Sequence, residues 1–317
     1  MINNPACPVC NGRSLDFIGS QSFKRDQRGL DEYVTRRFGV LFEIWFPSAQ
    51  EVQFKTALCR TCGFIFHAPR VTIEDVDAKY RFLASHPDEP EAVPSRTSKR
   101  ANRLFGKVWP FLRDRKDLTV LDFGGGDGRL MQRFVEAGAR VDLIDYGTAT
   151  TAGVRRIGDT EASLQPGVEY DAIISSHVIE HVPNPVEILT SLTRHLKSDG
   201  VLYVEVPMEV WGRAPHLREP VTHVNFFTPG SMRHLIRRTG GDVVSCGLDG
   251  HPHESGYAQL VVTAVVRRSD SRPEQFDDPI DTPRYLAPTL GTRIHRRLLM
   301  PSTIFEALRY KLSAAGR

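Results

Sequence analysis

The sequence predicts an α/β protein, a mostly parallel sheet with crossover helices, preceded by a small module carrying paired cysteines. Three observations carry this. Residues 99–268 alternate short apolar runs with helical patterns, the mark of strands buried on both faces by helices. A glycine-rich stretch, VLDFGGGDGRL, joins the first such run to a helical pattern. Two Cys-x-x-Cys pairs lie in the first 70 residues, outside that alternation.

Composition divides the chain into four parts. Residues 1–70 are rich in Cys, Phe and Gly, and residues 71–98 end in the polar stretch ASHPDEPEAVPSRTS, which reads as a linker. Residues 99–268 form the α/β domain, and residues 269–317 are an extension, Pro/Asp-rich to 283 and basic beyond. A length of 317 residues accommodates one large domain and a small one, and 40% hydrophobic with 25% charged residues is a globular balance. The net charge of +3 argues against a nucleic-acid partner. Basic residues do crowd positions 96–116 (Arg96, Lys99, Arg100, Arg103, Lys107, Arg113, Arg115, Lys116), which reads as the solvated face of a helix. No apolar run approaches the ~20 residues that cross a bilayer, and the N-terminus lacks a signal-peptide pattern. Five cysteines, four of them in pairs, suit a reducing compartment and a metal, so the expected location is cytoplasmic.

Strands are expected at Leu118–Phe123, Val141–Asp145, Ala172–Ser176, Val201–Val206, Val243–Leu248 and Gln259–Val266. Asn184 with Pro185, and Thr228 with Pro229, read as caps and first turns of helices, the first running towards Lys197 and stopping near Gly200, the second stopping at Gly240–Gly241. The first strand ends at Asp122, and Gly124, Gly125, Gly126 and Gly128 then open into a helix, where the backbone can turn sharply and a ligand can approach it. Asp145 ends the next strand at the carboxyl edge of the sheet, placed to accept hydrogen bonds from a ribose diol. The loop is not the dinucleotide fingerprint, because Arg129 stands where its third glycine belongs.

The pattern D-x-G-x-G-x-G from Asp122 to Gly128 resembles the first motif of class I S-adenosylmethionine-dependent methyltransferases. YDAIISSHVIEHVPNPVEIL (170–189), GVLYVEVP (200–207) and HVNFFTPGSM (223–232) resemble later motifs of the same family, over roughly residues 99–266. The resemblance implies a Rossmann-like methyltransferase fold with a mostly parallel seven-stranded sheet and S-adenosylmethionine as cofactor. It would be held by Asp122, Gly124, Gly126, Gly128, Asp145 and His177, with Asp159 as the candidate for the adenine. Only 25 residues separate Asp145 from Asp171, where the fold normally fits a helix, a strand and another helix, so this part of the sheet is expected to be compressed.

CPVCNG (7–12) and CRTCGF (59–64) each place two thiolates across a tight turn. Cys7, Cys10, Cys59 and Cys62 together supply a tetrahedral Zn²⁺ set with no open position, hence a structural, zinc-ribbon-like site. The intervening Asn11–Leu58 is too long for a compact site and is expected to fold on itself, with strands suggested by FGVLFEIWF (38–46). Cys246 lies in a strand pattern and reads as a small buried core residue.

Methyl transfer needs an aligned acceptor and, for a protonated one, a base. His177, His181 and His223 are the candidates, the first two bracketing Glu180 at the ligand edge of the sheet. The tail offers a capping box, Thr303 with Glu306, and an apolar stripe at Ile304, Phe305, Leu308 and Leu312 beside basic residues. It suits docking on the protein itself or peripheral membrane contact. A cysteine module before a methyltransferase domain resembles both the sugar or natural-product methyltransferases and the zinc-containing RNA methyltransferases. HVNFFTPGSM favours the first, with a nucleotide sugar, glycan or natural-product intermediate as acceptor. The RNA reading would need a basic patch with stacking aromatics. A cofactor-binding scaffold without turnover is the third class.

Overall fold

The structure, a computed structural model, describes residues 1–3, 5–85, 94–252, 258–269 and 280–299. The N-terminal region contributes β1 (Leu15–Lys24), α1 (Glu32–Gly39), β2 (Glu51–Cys59) and β3 (Ile65–Ala68). Along β2 the alternation of Val52, Phe54 and Thr56 inward with Glu51, Gln53 and Lys55 outward is the two-residue period of a half-buried strand. Between β1 and β2, FGVLFEIWF does not form strands. Asp31 caps α1 by accepting from the Val34 N–H, and a wider helical turn, Val40–Trp45, continues it. Its apolar side chains form a small core with Phe23, Phe54 and Val76, and helical spacing meets that demand as well as alternation would.

The segment read as a linker is largely helical, as α2 (Ile73–Ser85) and the start of α3 (Pro94–Val108). Thr72 and Asp75 satisfy each other's backbone N–H groups at the head of α2, a capping box visible in the sequence but outweighed there by the prolines beyond it.

The larger domain follows as β4 (Thr119–Phe123), α4 (Gln132–Glu136), β5 (Arg140–Ile144), β6 (Val154–Gly158), β7 (Tyr170–Ser176), α5 (Pro185–Arg194), β8 (Leu196–Pro207), β9 (Asn225–Phe226), α6 (Pro229–Arg238), β10 (Gly241–Pro252) and β11 (Ala258–Arg268). Its seven-stranded sheet has the order β10-β11-β8-β7-β4-β5-β6. β8, β7, β4, β5 and β6 run parallel, and β11 is antiparallel to both β8 and β10. This is the Rossmann-like methyltransferase arrangement. The order reverses between β7 and β4, so ligands belong at the carboxyl ends of those strands. The compression expected after Asp145 is present: β6 and a single tight turn, Glu161–Ser163, occupy the space without flanking α-helices.

The helix ends differ in detail from expectation. Thr228 caps α6 through a reciprocal pair with Ser231. Asn184 does not cap α5; its amide donates to Glu187 instead, leaving Pro185 to set the first turn. The basic run is only in part a solvated face: Lys99, Lys107, Arg113 and Lys116 are exposed, but three arginines turn inward. Arg100 and Arg103 on α3 are 14% exposed and engage Ser176, Glu205 and Asp249, and Arg115 binds Asp171. Glu205, fully buried on β8, draws these guanidinium groups inward. Cys246 on β10 is half-buried, its thiol 3.5 Å from the Pro229 carbonyl.

A short pairing joins the two regions. β9, between β8 and α6, adds to β3 in the four-stranded sheet β1-β2-β3-β9. Phe64 packs edge-on against Phe227 at 5.1 Å, and one continuous core holds Cys7, Cys59, Cys62, Phe64 and Phe66 with Val204, Val206 and Leu235. After the sheet come α7 (Thr282–Leu286) and α8 (Leu290–Leu299), the latter exposing Leu290, Ile294 and Leu298. The capping box and apolar stripe expected at 303–312 lie outside the described residues. Among those described, no helix is long and apolar enough to cross a membrane.

Candidate functional site

A cavity of about 340 Å³ opens at the carboxyl edge of the sheet, where the strand order reverses. Gly124, Asp145, Asp159, His177 and His181 line it, together with Tyr80 and Asp77 from α2.

The glycine loop forms its floor. Gly124, Gly126 and Gly128 all have left-handed φ, and a Cβ on Gly124 would sit 2.5 Å from the Val178 side chain. At Gly125 the restriction comes from below: a Cβ would lie 1.8 Å from an oxygen of Asp122. Asp122 is 2% exposed beneath the loop, and its Oδ2 has no hydrogen-bond partner among the described residues. Burial, reinforced by the charge of Asp145, pushes its carboxyl up to about 7. A buried carboxylate lacking a donor suits an ammonium ion brought by a ligand.

Asp145 follows β5 and is held by two backbone donors, Gly126 N–H at 2.8 Å and Gly147 N–H at 2.7 Å. Burial raises its pKa against the pull of these two bonds. It thus ties the loop to the strand end and faces the cavity, leaving lone pairs for a diol. Tyr146 stacks on Tyr80 with ring centroids 4.5 Å apart and donates to Asp77 at 2.7 Å. Sequence reasoning missed this wall because it left α2 in a linker, although Tyr146 directly follows Asp145. Asp159 lines the far end, largely exposed and paired with Arg156.

The histidines gather at the other end. His177 adopts φ 57°, turning the chain after β7, with Nδ1 at 3.4 Å from Glu180. His181 and His223 come from different loops, yet their rings lie 4.9 Å apart. His181 Nδ1 is 2.6 Å from the Thr222 carbonyl, and His223 Nδ1 is 2.8 Å from Glu209 Oε2. Neither partner can donate, so each Nδ1 carries the hydrogen. Burial lowers the His181 pKa to about 3, against the opposing charge of Glu180. Burial would lower His223 too, but Glu209 outweighs it and lifts the group to about 9. Burial likewise favours the neutral form of Glu180, and the adjacent imidazoles of His181 and His177 outweigh it, bringing the group to about 2.

Arg70 and Asn225 hold these loops from behind. Arg70 donates to the Pro183 carbonyl and to Asn225, whose amide donates to the carbonyls of Ile179 and Val182 at 2.7 Å each. The node sits where β3 meets β9, so the cysteine-bearing region buttresses the EHVPNP loop. In that region the sulfurs of Cys7 and Cys62 are 3.6 Å apart and those of Cys10 and Cys59 3.4 Å. All four converge within 4.8 Å of one another. A tetrahedral zinc with Zn–S of about 2.3 Å requires sulfurs about 3.8 Å apart, close to what the knuckles already provide.

Comparison with known proteins agrees with this geometry. Residues 92–246 match the family model described as a methyltransferase domain. A ubiquinone biosynthesis O-methyltransferase from Rickettsia bellii is 28% identical over 116 residues, covering 33% of this chain and 48% of that protein. One from Paramagnetospirillum magneticum is 32% identical, covering 31% and 43%. The chain therefore spans less than half the length of these relatives. A Burkholderia thailandensis 1,6-didemethyltoxoflavin-N1-methyltransferase, solved with S-adenosylhomocysteine, shares the fold at a TM-score of 0.51 and 21% identity. That likeness covers 68% of this chain and 96% of the other. Over residues 92–246 the chain is thus similar to a methyltransferase domain, in a fold it shares with an S-adenosylhomocysteine-bound enzyme.

Proposed function

We propose that the protein transfers a methyl group from S-adenosylmethionine to a small-molecule acceptor. The observation that carries this is the cavity itself, with a glycine floor, the Asp145 carboxylate at one edge and an orphaned Asp122 oxygen beneath. The ammonium of the methionine part suits Asp122, the ribose diol suits Asp145, and the adenine falls towards Tyr146 and Asp159. His177 closes the methyl end. His181 and His223 then face the acceptor, His181 with an Nε2 lone pair for the hydrogen of an acceptor hydroxyl or amine and His223 as its charged neighbour.

For the acceptor we favour a nucleotide sugar, glycan or natural-product intermediate, on the HVNFFTPGSM motif. The names of the relatives, among them ubiquinone-pathway O-methyltransferases, add hydroxylated ring compounds to the candidates. An RNA acceptor loses its main support, since Arg100 and Arg103 face inward to carboxylates rather than outward as a patch. We assign one structural zinc to Cys7, Cys10, Cys59 and Cys62, where it would tie the two knuckles together and brace β3 against the EHVPNP loop.

The test is a radiolabelled methyl-transfer assay over nucleotide sugars, hydroxylated aromatic metabolites and RNA. Label on a small molecule, lost in Asp145→Ala, supports the reading. Label on RNA alone, or none on any acceptor from protein that binds the donor, overturns it.

A further inference from the structure

We infer that Glu180, His181 and His223 form a binding site for a divalent transition-metal ion at the acceptor end of the cavity. It deepens the acceptor reading above and rests on it: the cation held among these groups is a metal rather than only a proton.

The geometry turns two imidazole nitrogens and a carboxylate oxygen towards one small space. Because His181 Nδ1 donates to the Thr222 carbonyl and His223 Nδ1 to Glu209, Nε2 is the nitrogen each ring has left for a ligand, and on His223 a metal ion would take the place of a proton. One nitrogen of each ring and one Glu180 oxygen lie within 4.8 Å of one another, with His181 Nε2 3.6 Å from Glu180 Oε1. Glu180 is 0% exposed, and neither of its oxygens has a hydrogen-bond partner among the described residues. Stranding a carboxylate in this way is costly unless a cation joins it.

Without a metal, the neighbouring imidazoles offset this charge, but none of them closes a short bond to it. His177 Nδ1 is 3.4 Å from Glu180, longer than a charge-assisted bond of about 2.7–2.9 Å. The Lys79 amine, buried on α2, is directed to the Val221 carbonyl.

Two imidazoles and a carboxylate are a donor set for first-row divalent ions such as Zn²⁺, Fe²⁺ or Mn²⁺. Both imidazoles already have the outer partner that metal-binding histidines use, a backbone carbonyl for one and a carboxylate for the other. Three protein ligands leave coordination positions open, in contrast to the four thiolates of the cysteine cluster. His181 lines the cavity, so those positions face the space beside the methyl donor. A hydroxyl bound there would lose its proton more readily.

The probe is Co²⁺, whose absorption distinguishes thiolate from nitrogen and oxygen ligands, titrated into the full chain with its cysteine cluster kept in zinc. One further ion per chain is expected, without thiolate charge-transfer bands. His223→Gln and Glu180→Gln should each weaken uptake at least 100-fold, and Glu209→Gln about 10–100-fold. His223 is 20% exposed, so His223→Gln remains informative if Glu180→Gln fails to fold. No uptake, uptake with thiolate bands, or uptake unchanged by His223→Gln overturns the site. Turnover lost in His223→Gln without any cobalt binding would leave the proton-handling reading standing and end the metal one. Cobalt bound without methyl transfer would do the reverse.

Discussion

The four-cysteine cluster and the Glu180–His181–His223 cluster are both sets of lone pairs gathered around a small space, yet they are built in opposite ways. The first is made of two local knuckles, each tied by its own backbone bonds, such as Asn11 N–H to the Cys7 carbonyl and Gly63 N–H to the Cys59 carbonyl. The second is assembled from two loops by the sheet edge and steadied by Thr222, Glu209, Arg70 and Asn225. A closed thiolate set holds chain together, whereas an open set on cavity-facing loops is available to a ligand. The difference teaches that function here depends on support: the local cluster braces the loop that carries the assembled one.

The largest effect should come from breaking the first cluster. Metal analysis of the intact chain is expected to give one zinc, and Cys59→Ser to lose it. Zinc binding at such sites is worth on the order of 10 kcal/mol of folding free energy, so residues 1–70 should lose protection from proteolysis. Because Phe64, Phe227 and the cysteines share a core with β8 and α6, the methyltransferase domain should soften with it rather than stand apart. A variant that keeps full thermal stability after losing its metal would show that the two regions are independent.

The second cluster should affect turnover rather than folding. His181→Ala or His223→Ala should lower kcat by about 10²–10⁴-fold, with donor affinity near wild type. If both variants retain more than about a tenth of normal turnover in a steady-state assay, the cluster has no part in the chemistry.

The smallest effect lies away from both clusters, at the opposite edge of the sheet. Asp171 is 4% exposed, and although burial opposes it, Lys197, Thr119 and Arg115 hold its pKa at about 2, below the ordinary 3.8. A depressed carboxylate contributes stability that is complete above about pH 4 and lost as pH falls through about 2. Allowing for the part-exposed Lys197, Asp171→Asn should cost about 1–2 kcal/mol at neutral pH and less towards pH 2, measured by denaturant titration. Equal destabilisation at both pH values would assign the loss to packing instead.

Much of this architecture was legible because the determinants were local. The apolar runs marked six of the seven large-sheet strands, and the spacing of Asp122, Gly124–Gly128 and Asp145 marked the cavity edge to which we assign the donor. β6 (VRRIG) escaped because it is an edge strand in which only Val154 is buried, so it carries no apolar run. The π-type turn after α1 and the helix α2 were misread, one for its aromatic run and the other for the prolines beyond it. Arg100 and Arg103 looked like surface charge because a sequence cannot show that Glu205 is buried opposite them. Glu209 and Thr222, which fix the two imidazoles, carry no motif; their role arises only when the loops meet.

The most direct test of the central claim is calorimetric titration of S-adenosylmethionine into the intact chain and into Asp145→Ala. The cavity predicts saturable binding of one donor per chain, weakened by about 1–3 kcal/mol when Asp145, the carboxylate assigned to the ribose, is removed. Absence of binding to the intact chain, or equal affinity in the variant, would contradict it.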